Sequence, residues 1–216
     1  KANMHSREID RDLYRLCSEA LGGDFKYEGG LEWINMAGNR SVFLKDSSSG
    51  QQELIPMLLA LQEISTYPNY SFTFIEEPEA HIFPETQYKI VEIIARVYNL
   101  LKRNTGFFIT THSPYILTAF NNLIQAENTF QDIQKRFTQK EIDNNIKDDL
   151  LKKLHSTINQ GSWINFDDVA VYLVENGKCR DIKARETKLI DADAIDEVSD
   201  TAGAIFNQLL DISPGD

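Results

Sequence analysis

The sequence has only two cysteines, no long apolar run and no apolar segment at its start. Cys17 and Cys179 lie far apart, without Cys or His neighbours at ligand spacing, so neither a disulfide framework nor a zinc site is indicated. We expect both thiols to be buried. No window approaches the roughly 18 uninterrupted apolar residues of a membrane span, and residues 1–5 lack the apolar core of a signal peptide. These absences predict a soluble chain located in the cytoplasm, without a membrane partner.

Basic side chains are also scarce. The 216 residues contain 22 Lys and Arg against 33 Asp and Glu, which gives a net charge of −11. A protein that lays a broad face on nucleic acid must replace counterions with Lys and Arg, so this balance argues against such a face. If DNA is a partner, we expect another part of the protein to contact it. The 42% of hydrophobic residues suffices for a globular core.

Residues 1–45 predict one helix followed by a small antiparallel meander. Apolar residues recur at helical spacing between residues 6 and 21, and Gly22 follows where a left-handed cap would end the helix. Between residues 24 and 45, short β-rich runs are separated by Gly-Gly and Gly-Asn pairs, which are typical of tight turns.

Residues 46–122 predict a strand, a helix and a second strand. A further helix should begin at Ser113-Pro114, a typical cap and first-turn pair, and run to about residue 120. The two β-rich runs, 71–75 and 107–110, are of the kind that is buried on both faces of a parallel sheet. The helix between them covers residues 85–103. Because such a unit is almost always right-handed with its strands parallel, both strands should end at the same edge of one sheet.

Polar residues follow both strands at that edge, where open α/β sheets bind ligands. Glu76 and Glu77 end the first strand, and His112 follows the second. One carboxylate could hold Mg²⁺ through water, the other could orient or deprotonate an attacking water, and the histidine could contact a γ-phosphate. The helix that opens at residues 49–51 offers unpaired N–H groups to an anion. Together these features indicate phosphate chemistry.

Each feature also has a structural explanation. Ser49 and Gln52 fit the capping-box pattern, residues 76–79 could be acids that complement a helix dipole, and His112 could be a structural histidine. A metal-dependent nuclease built on Glu76, Glu77 and Glu79 is a weaker alternative, since such sites usually draw ligands from several strands. The combination and order of the features favour the phosphate interpretation.

The remaining sequence predicts two less informative units. Residues 123–166 are polar with weak helical periodicity, which indicates a helical excursion on the surface. Residues 167–216 contain two β-rich runs around Asn176-Gly177, the strongest short hairpin signal, and a last helix near residues 196–210.

Three segments resemble motifs of the ABC-type P-loop ATPases, within the bacterial AAA branch that is similar to recombination and chromosome-maintenance ATPases. Residues 47–52 (SSSGQQ) resemble the signature loop, residues 72–77 (FTFIEE) the Walker B strand, and residues 111–114 (THSP) the switch-histidine segment. They occur in the family's order, and each interval leaves room for one helix and one strand.

The resemblance implies a fold and a site. The fold would be α/β, the partial parallel sheet of an ABC-type ATPase head with flanking helices and a small antiparallel β element. The ligands would be ATP and Mg²⁺, with Glu77 and His112 as catalytic residues and Glu76 assisting the metal. The family's signature loop caps ATP on a partner protomer, which implies a homodimer. The nucleotide-binding residues of that loop would be Ser48, Ser49, Gly50 and Gln51.

The sequence departs from the family in three places. Glu76 stands where Asp is more common, and Phe83-Pro84 replaces the usual Asp of the loop that signals between protomers. No G-x-x-x-x-G-K-[ST] phosphate-binding loop, the family's Walker A motif, is present. We therefore expect this chain to be the C-terminal part of a longer ATPase and to be inactive by itself.

Two alternatives remain open at this stage. One is a degenerate protein that never hydrolyses ATP. The other is a non-enzymatic lobe that caps a partner's nucleotide or docks an effector protein through residues 121–160. A role in DNA repair or in defence against mobile elements rests on the family resemblance alone.

Overall fold

The computed structural model describes residues 10–66, 71–101 and 104–191. Within these ranges the chain is a mixed α/β protein with one two-stranded parallel sheet, three small antiparallel sheets and flanking helices, which confirms the predicted fold class. The last predicted helix, 196–210, lies outside the described residues. The elements are α1 (Arg11–Leu21), β1 (Asp24–Glu28), β2 (Leu31–Met36), β3 (Arg40–Phe43), α2 (Ser49–Thr66), β4 (Ser71–Glu76), α3 (Pro84–Leu100), β5 (Thr105–Thr110), α4 (Pro114–Thr138), α5 (Asn144–Thr157), β6 (Tyr172–Glu175), β7 (Lys178–Asp181), β8 (Lys183–Ala184) and β9 (Leu189–Ile190).

Helix α1 and the meander follow the predicted order. The helix begins after Asp10, whose carboxylate accepts a hydrogen bond from the Leu13 N–H at 2.9 Å, so the predicted start near residue 6 is wrong. Gly22 ends the helix with a φ of 74°, in the left-handed region that favours glycine. Strands β1, β2 and β3 then form an antiparallel sheet in that order, as predicted.

Helix α3 lies between two hydrophobic clusters and separates them. One of its faces, which includes Ile90 and Ile93, packs against α1, α2 and the inner side of β4 and β5. The other face, with Val91 and Ala95, packs against α4 and the two C-terminal ribbons, which are the strand pairs β6–β7 and β8–β9. Because the three helices α1, α2 and α3 share one core, they place the loop after β4 next to the start of α2.

Strands β4 and β5 pair in parallel, with Glu76 opposite Thr110, so both strands end at the same edge as predicted. The prediction that both faces of these strands are buried is wrong for the described residues. Phe72, Phe74 and Phe108 are 52%, 73% and 54% exposed. Side chains alternate between the two faces of a strand, and α3 covers only one face. The three rings contact one another across the other face, with ring centroids 5.2 and 5.6 Å apart.

Helix α4 is much longer than predicted, because it continues from Pro114 to Thr138 instead of ending near residue 120. Beyond residue 120 the helix keeps a buried stripe, formed by Leu123, Ile124, Ala126 and Ile133. The many Asn and Gln side chains in this stretch conceal that stripe in the sequence. Helix α5 follows and has no fully buried residue, so the predicted excursion consists of the end of α4 and α5.

The C-terminal hairpin is confirmed. Strands β6 and β7 are antiparallel, and Asn176 and Gly177 join them with φ values of 50° and 71°, as a two-residue hairpin turn requires. The ribbon of β8 and β9 was not predicted, since each strand has only two residues. Cys17 is buried, and burial raises the pKa of its thiol. Cys179 lies on the hairpin and is exposed, contrary to expectation.

Asp10 ties the start of α1 to α3. Its carboxylate accepts hydrogen bonds from Arg96 Nε at 3.0 Å and from Arg96 Nη2 at 2.8 Å, in addition to the Leu13 N–H. The bond with Arg96 is the main reason why the pKa of Asp10 lies below its usual value. A lowered folded-state pKa means that the carboxylate stabilises the fold above the unfolded-state pKa, and that this stability is lost as the pH falls through the folded-state pKa.

We expect Asp10→Asn to lower the free energy of unfolding at neutral pH by about 1–2 kcal/mol, because a partly exposed charge-assisted pair is lost. Urea unfolding should show this difference shrinking as the pH is lowered into acid. Asp149→Asn, which breaks an exposed pair with Lys153 of 2.7 Å, is the control and should change stability by less than about 0.5 kcal/mol. If Asp10→Asn lowers the free energy of unfolding equally at neutral and acid pH, the ionised Asp10 carboxylate is not the source of the stability.

Candidate functional site

The loop after β4 begins with a strained residue. The Glu77 N–H donates to the Thr110 carbonyl at 2.9 Å, which continues the parallel ladder one residue beyond Glu76. Glu77 has a φ of 44°, and its own carbonyl accepts from the Ala80 N–H at 2.9 Å. Residues other than glycine rarely adopt this left-handed conformation, which costs them on the order of 1 kcal/mol. Residues that do adopt it are concentrated at functional sites. The tight turn aims Glu77 away from the strand direction.

Glu77 and His112 meet at the carboxyl edge of the sheet. His112 Nε2 lies 3.4 Å from Glu77 Oε1, and the two side chains are 87% and 49% exposed. A contact this exposed contributes little to stability, so both groups are free to face a ligand. The predicted meeting of the two strand ends is therefore present in the structure.

Glu76 is the last residue of β4 and lies opposite Thr110. Strand alternation places it on the same face as Phe72 and Phe74, and its side chain is exposed. Glu77 belongs to the turn, so the two neighbouring carboxylates do not share one environment.

The exposed carboxylates at this edge offer oxygen atoms, the ligand type that Mg²⁺ prefers. In the described ranges, no group of three or more His, Cys, Asp and Glu residues is arranged to hold a metal ion. Such a set is what a nuclease on Glu76, Glu77 and Glu79 would need, and this part of the chain gives that alternative no support. Mg²⁺ in nucleotide sites is usually held by one or two carboxylates together with phosphates and waters, which suits Glu76 at this edge.

Glu79, which the sequence offers as one of several acids in residues 76–79 and as a third acid of the nuclease alternative, joins the two strand-end loops. Its Oε1 accepts from the Thr111 hydroxyl at 2.8 Å and from the His112 N–H at 2.7 Å. Glu79 Oε2 is buried and, among the described residues, has no hydrogen-bond partner. Only its position two residues after Glu77 hinted at this role, because the contact depends on how the loops pack.

A second set of hydrogen bonds, through Gln87 of α3, connects the same two loops. The Ser113 hydroxyl donates to Gln87 Oε1 at 2.6 Å, and Gln87 Nε2 donates to the Ile82 carbonyl at 3.2 Å. Both Ser113 and Gln87 are buried. Ser113 also caps α4, as predicted, by accepting from the Tyr115 N–H at 3.2 Å. Helix α3 thereby holds both loops in place through one side chain.

The segment 48–51 opens helix α2. Ser48, and not Ser49, caps this helix: the Gln51 N–H donates to Ser48 Oγ at 3.3 Å, and Gln51 Oε1 accepts from the Ser48 N–H at 3.3 Å. The capping box is therefore Ser48 with Gln51, and the predicted box of Ser49 with Gln52 is wrong. The helix starts one residue earlier than that pattern required.

Gly50 is buried against the loop that carries the carboxylates. A Cβ at this position would lie 2.6 Å from the His81 carbonyl oxygen and 3.1 Å from an Ile82 methyl group. A backbone atom cannot move aside easily, so this close approach requires glycine. The His81 side chain adds a second link, since its Nδ1 lies 2.8 Å from Glu53 Oε2 on α2. That hydrogen bond raises the pKa of His81.

The structure does not join the signature-like segment to the carboxylates. Ser48 and Ser49 are exposed, and Gln51 Nε2 donates to the Leu21 carbonyl at 3.0 Å. Within the described part of the chain, no hydrogen bond or ion pair connects residues 48–51 with Glu76, Glu77 or His112.

A cleft of about 370 Å³ opens between α2 and β4, beside the carboxylates. Its walls are mainly apolar, from residues such as Leu61 and Ile75, and Glu53, Glu76 and Glu77 lie among its lining residues. These acids would repel phosphates directly, so a nucleotide here needs cations that the cleft lining itself does not provide.

The sequence from residue 8 to residue 117 matches the family described as "AAA ATPase domain", which is slightly more than half of the chain. The chain belongs to this family. The predicted P-loop ATPase relationship is thereby confirmed, and all the site residues predicted above lie within the matched range.

Among solved structures, the chain is similar to the "SMC head domain from Thermotoga maritima", with 19% sequence identity and a TM-score of 0.38. The similarity covers 51% of this chain and 40% of that one, so the chain spans less than half of that structure. No curated protein sequence matches the chain at a significant level. In the described residues, no helix has both the length and the apolar character that crossing a bilayer requires.

Proposed function

We propose that this ATPase-family chain carries the catalytic edge of an enzyme that hydrolyses ATP between two protomers. The observation that carries the proposal is the meeting of Glu77, held in a strained turn, with the exposed His112 at the carboxyl edge of a parallel sheet. Open α/β sheets bind their ligands at this edge. An acid can orient the attacking water and a histidine can hydrogen-bond the γ-phosphate, which are two of the tasks in phosphoryl transfer to water.

In this proposal Glu77 orients the attacking water and accepts its proton. His112 hydrogen-bonds the γ-phosphate from the neighbouring loop, 3.4 Å from Glu77, so both groups reach one reacting centre. Glu76 assists Mg²⁺, which when bound neutralises the charge that develops on the phosphate oxygens. The cleft lining contains acids, so the phosphates must be held mainly by groups other than those of this cleft.

We assign Ser48, Ser49, Gly50 and Gln51 to the nucleotide of a second protomer. Support comes from the exposed positions of Ser48 and Ser49 at the start of α2, where the helix dipole favours an anion. Within the described ranges, residues 48–51 also make no hydrogen bond to the catalytic residues of the same chain. Residues 46–122 would then form the catalytic unit. Residues 1–45, which comprise the end of a helical lobe and the meander, would precede it. Residues 123–166 and 167–216 would be accessory. In this proposal the partner is DNA or an effector protein, in DNA repair or in defence against mobile elements.

ATP turnover by the full-length protein tests this proposal. We expect hydrolysis that requires Mg²⁺ and that rises more than linearly with protein concentration, because two protomers form each site. If the full-length protein binds ATP without hydrolysing it at saturating Mg²⁺, the non-enzymatic function of capping a partner's nucleotide is correct instead.

We expect Glu76→Ala to lower kcat/KM for MgATP by about 10- to 100-fold, because an acid that supports the metal is lost. A Mg²⁺ titration should show a higher metal requirement, and Glu76→Asp should restore most of the activity. Glu85→Ala is the control, since Glu85 is an exposed acid in the first turn of α3. An unchanged Mg²⁺ requirement in Glu76→Ala would exclude the metal role.

A further inference from the structure

Glu79 is the side chain that connects the loop after β4 to the backbone of His112. Two donors from the second loop, the Thr111 hydroxyl at 2.8 Å and the His112 N–H at 2.7 Å, converge on its Oε1. Hydrogen bonds to a carboxylate are charge-assisted and shorter than neutral ones. The Thr111 hydroxyl in turn accepts from the Ser113 N–H at 3.0 Å, so Glu79 organises three consecutive residues at the end of β5.

The imidazole of His112 has little else to hold it. Its side chain is 87% exposed, and its contact with Glu77 is a long one of 3.4 Å. The direction in which the ring leaves the surface is therefore set mainly by its backbone. That backbone is anchored by Glu79, which belongs to the same turn as Glu77.

We infer that Glu79 is a positioning residue that couples the water-activating acid to the histidine, an inference that rests on the proposed function. Glu79 sits two residues after Glu77 and fixes the residue that faces Glu77, so any shift of the turn moves both groups together. Glu79 Oε2 is buried and has no hydrogen-bond partner in the described residues, so both of its loop contacts are made through Oε1.

Steady-state kinetics of the full-length protein provide the first test. Glu79→Ala should lower kcat for ATP about 10-fold and leave KM within about 2-fold, because the histidine contributes to the reaction and not to nucleotide binding. Glu79→Gln keeps an acceptor oxygen for both donors and should retain more than about a third of the wild-type kcat. Glu85→Ala is the control, because Glu85 is an exposed acid in the first turn of α3, and it should behave as wild type.

A double-mutant cycle separates positioning from a general loss of structure. If Glu79 acts through His112, Glu79→Ala added to His112→Ala should change kcat by less than about 2-fold, since the two effects are not additive. A full additional 10-fold loss in the double variant would overturn the inference, as would an unchanged kcat in Glu79→Ala. Thermal unfolding of each variant verifies that it is folded.

The His112 amide gives a readout that needs no ATP hydrolysis. In wild-type protein the hydrogen bond to Glu79 should slow exchange of this amide with solvent, and Glu79→Ala should accelerate it about 10-fold, with Glu79→Gln in between. An equal exchange rate in wild type and Glu79→Ala would exclude the anchor itself. If the amide responds but the wild-type protein does not hydrolyse ATP, the proposed function fails and the contact stands as a structural anchor only.

Discussion

Glu77→Gln is expected to lower kcat for ATP hydrolysis by about 10²- to 10³-fold, the usual contribution of a general base to a reaction of this kind. Glutamine has nearly the same shape as glutamate but cannot accept the proton of the attacking water. It also tolerates the left-handed φ of 44° no worse than glutamate does, so the turn should keep its conformation. The loss therefore reports chemistry and not folding.

Binding and turnover must be measured separately in this variant. The dissociation constant for ATP, from isothermal titration calorimetry, should stay within about 3-fold of the wild-type value, because Glu77 acts on the water and not on the nucleotide. Glu85→Gln, at an exposed position in the first turn of α3, is the matched control and should keep full activity. Unchanged ATP turnover in Glu77→Gln would show that Glu77 is not the base, and the proposed mechanism would then be wrong.

Ser49→Arg is expected to lower ATP turnover by about 100-fold, because it replaces a small hydroxyl donor with a long side chain that would fill the space of the second protomer's nucleotide. Ser49 is the first residue of α2, is exposed and is not the capping residue, so the substitution should leave the fold intact. Glu63→Arg, an exposed position near the other end of the same helix, is the control.

Mixing the two inactive variants tests the arrangement of the protomers. In a mixture of Ser49→Arg and Glu77→Gln chains, about half of the dimers combine one chain of each kind, and each such dimer has one intact site. Activity should therefore return to about a quarter of the wild-type value. A mixture that remains inactive, although both variants bind ATP and dimerise, would place residues 48–51 at the nucleotide of their own chain.

Local sequence signals predicted the elements that depend on a few neighbouring residues. Asn176-Gly177 indicated a hairpin because its two residues accept positive φ, and Gly22 ended α1 for the same reason. Ser113-Pro114 correctly marked the start of α4. Its end was missed, because Leu123, Ile124 and Ala126 form a buried stripe only when the C-terminal ribbons are present to cover it.

The burial of β4 and β5 could not be predicted from their residues. Phe72, Phe74 and Phe108 suit a strand and an apolar environment equally well, so their composition indicated burial on both faces. Which face is covered depends on where α3 packs. In the described residues, α3 covers the face opposite to the one that carries these three rings. The exposure of Cys179 has the same origin, since it depends on what lies beside the hairpin.

The sequence by itself determined that Glu76, Glu77 and His112 would lie at one sheet edge, because a strand, a helix and a strand in succession form a parallel pair with a fixed hand. Only the tertiary structure decided how that edge is built. The contact of Glu79 with His112 and the approach of Gly50 to the His81 carbonyl each join residues that are distant in the chain. Such contacts have no local pattern, because they exist only once α1, α2 and α3 have packed around a common core.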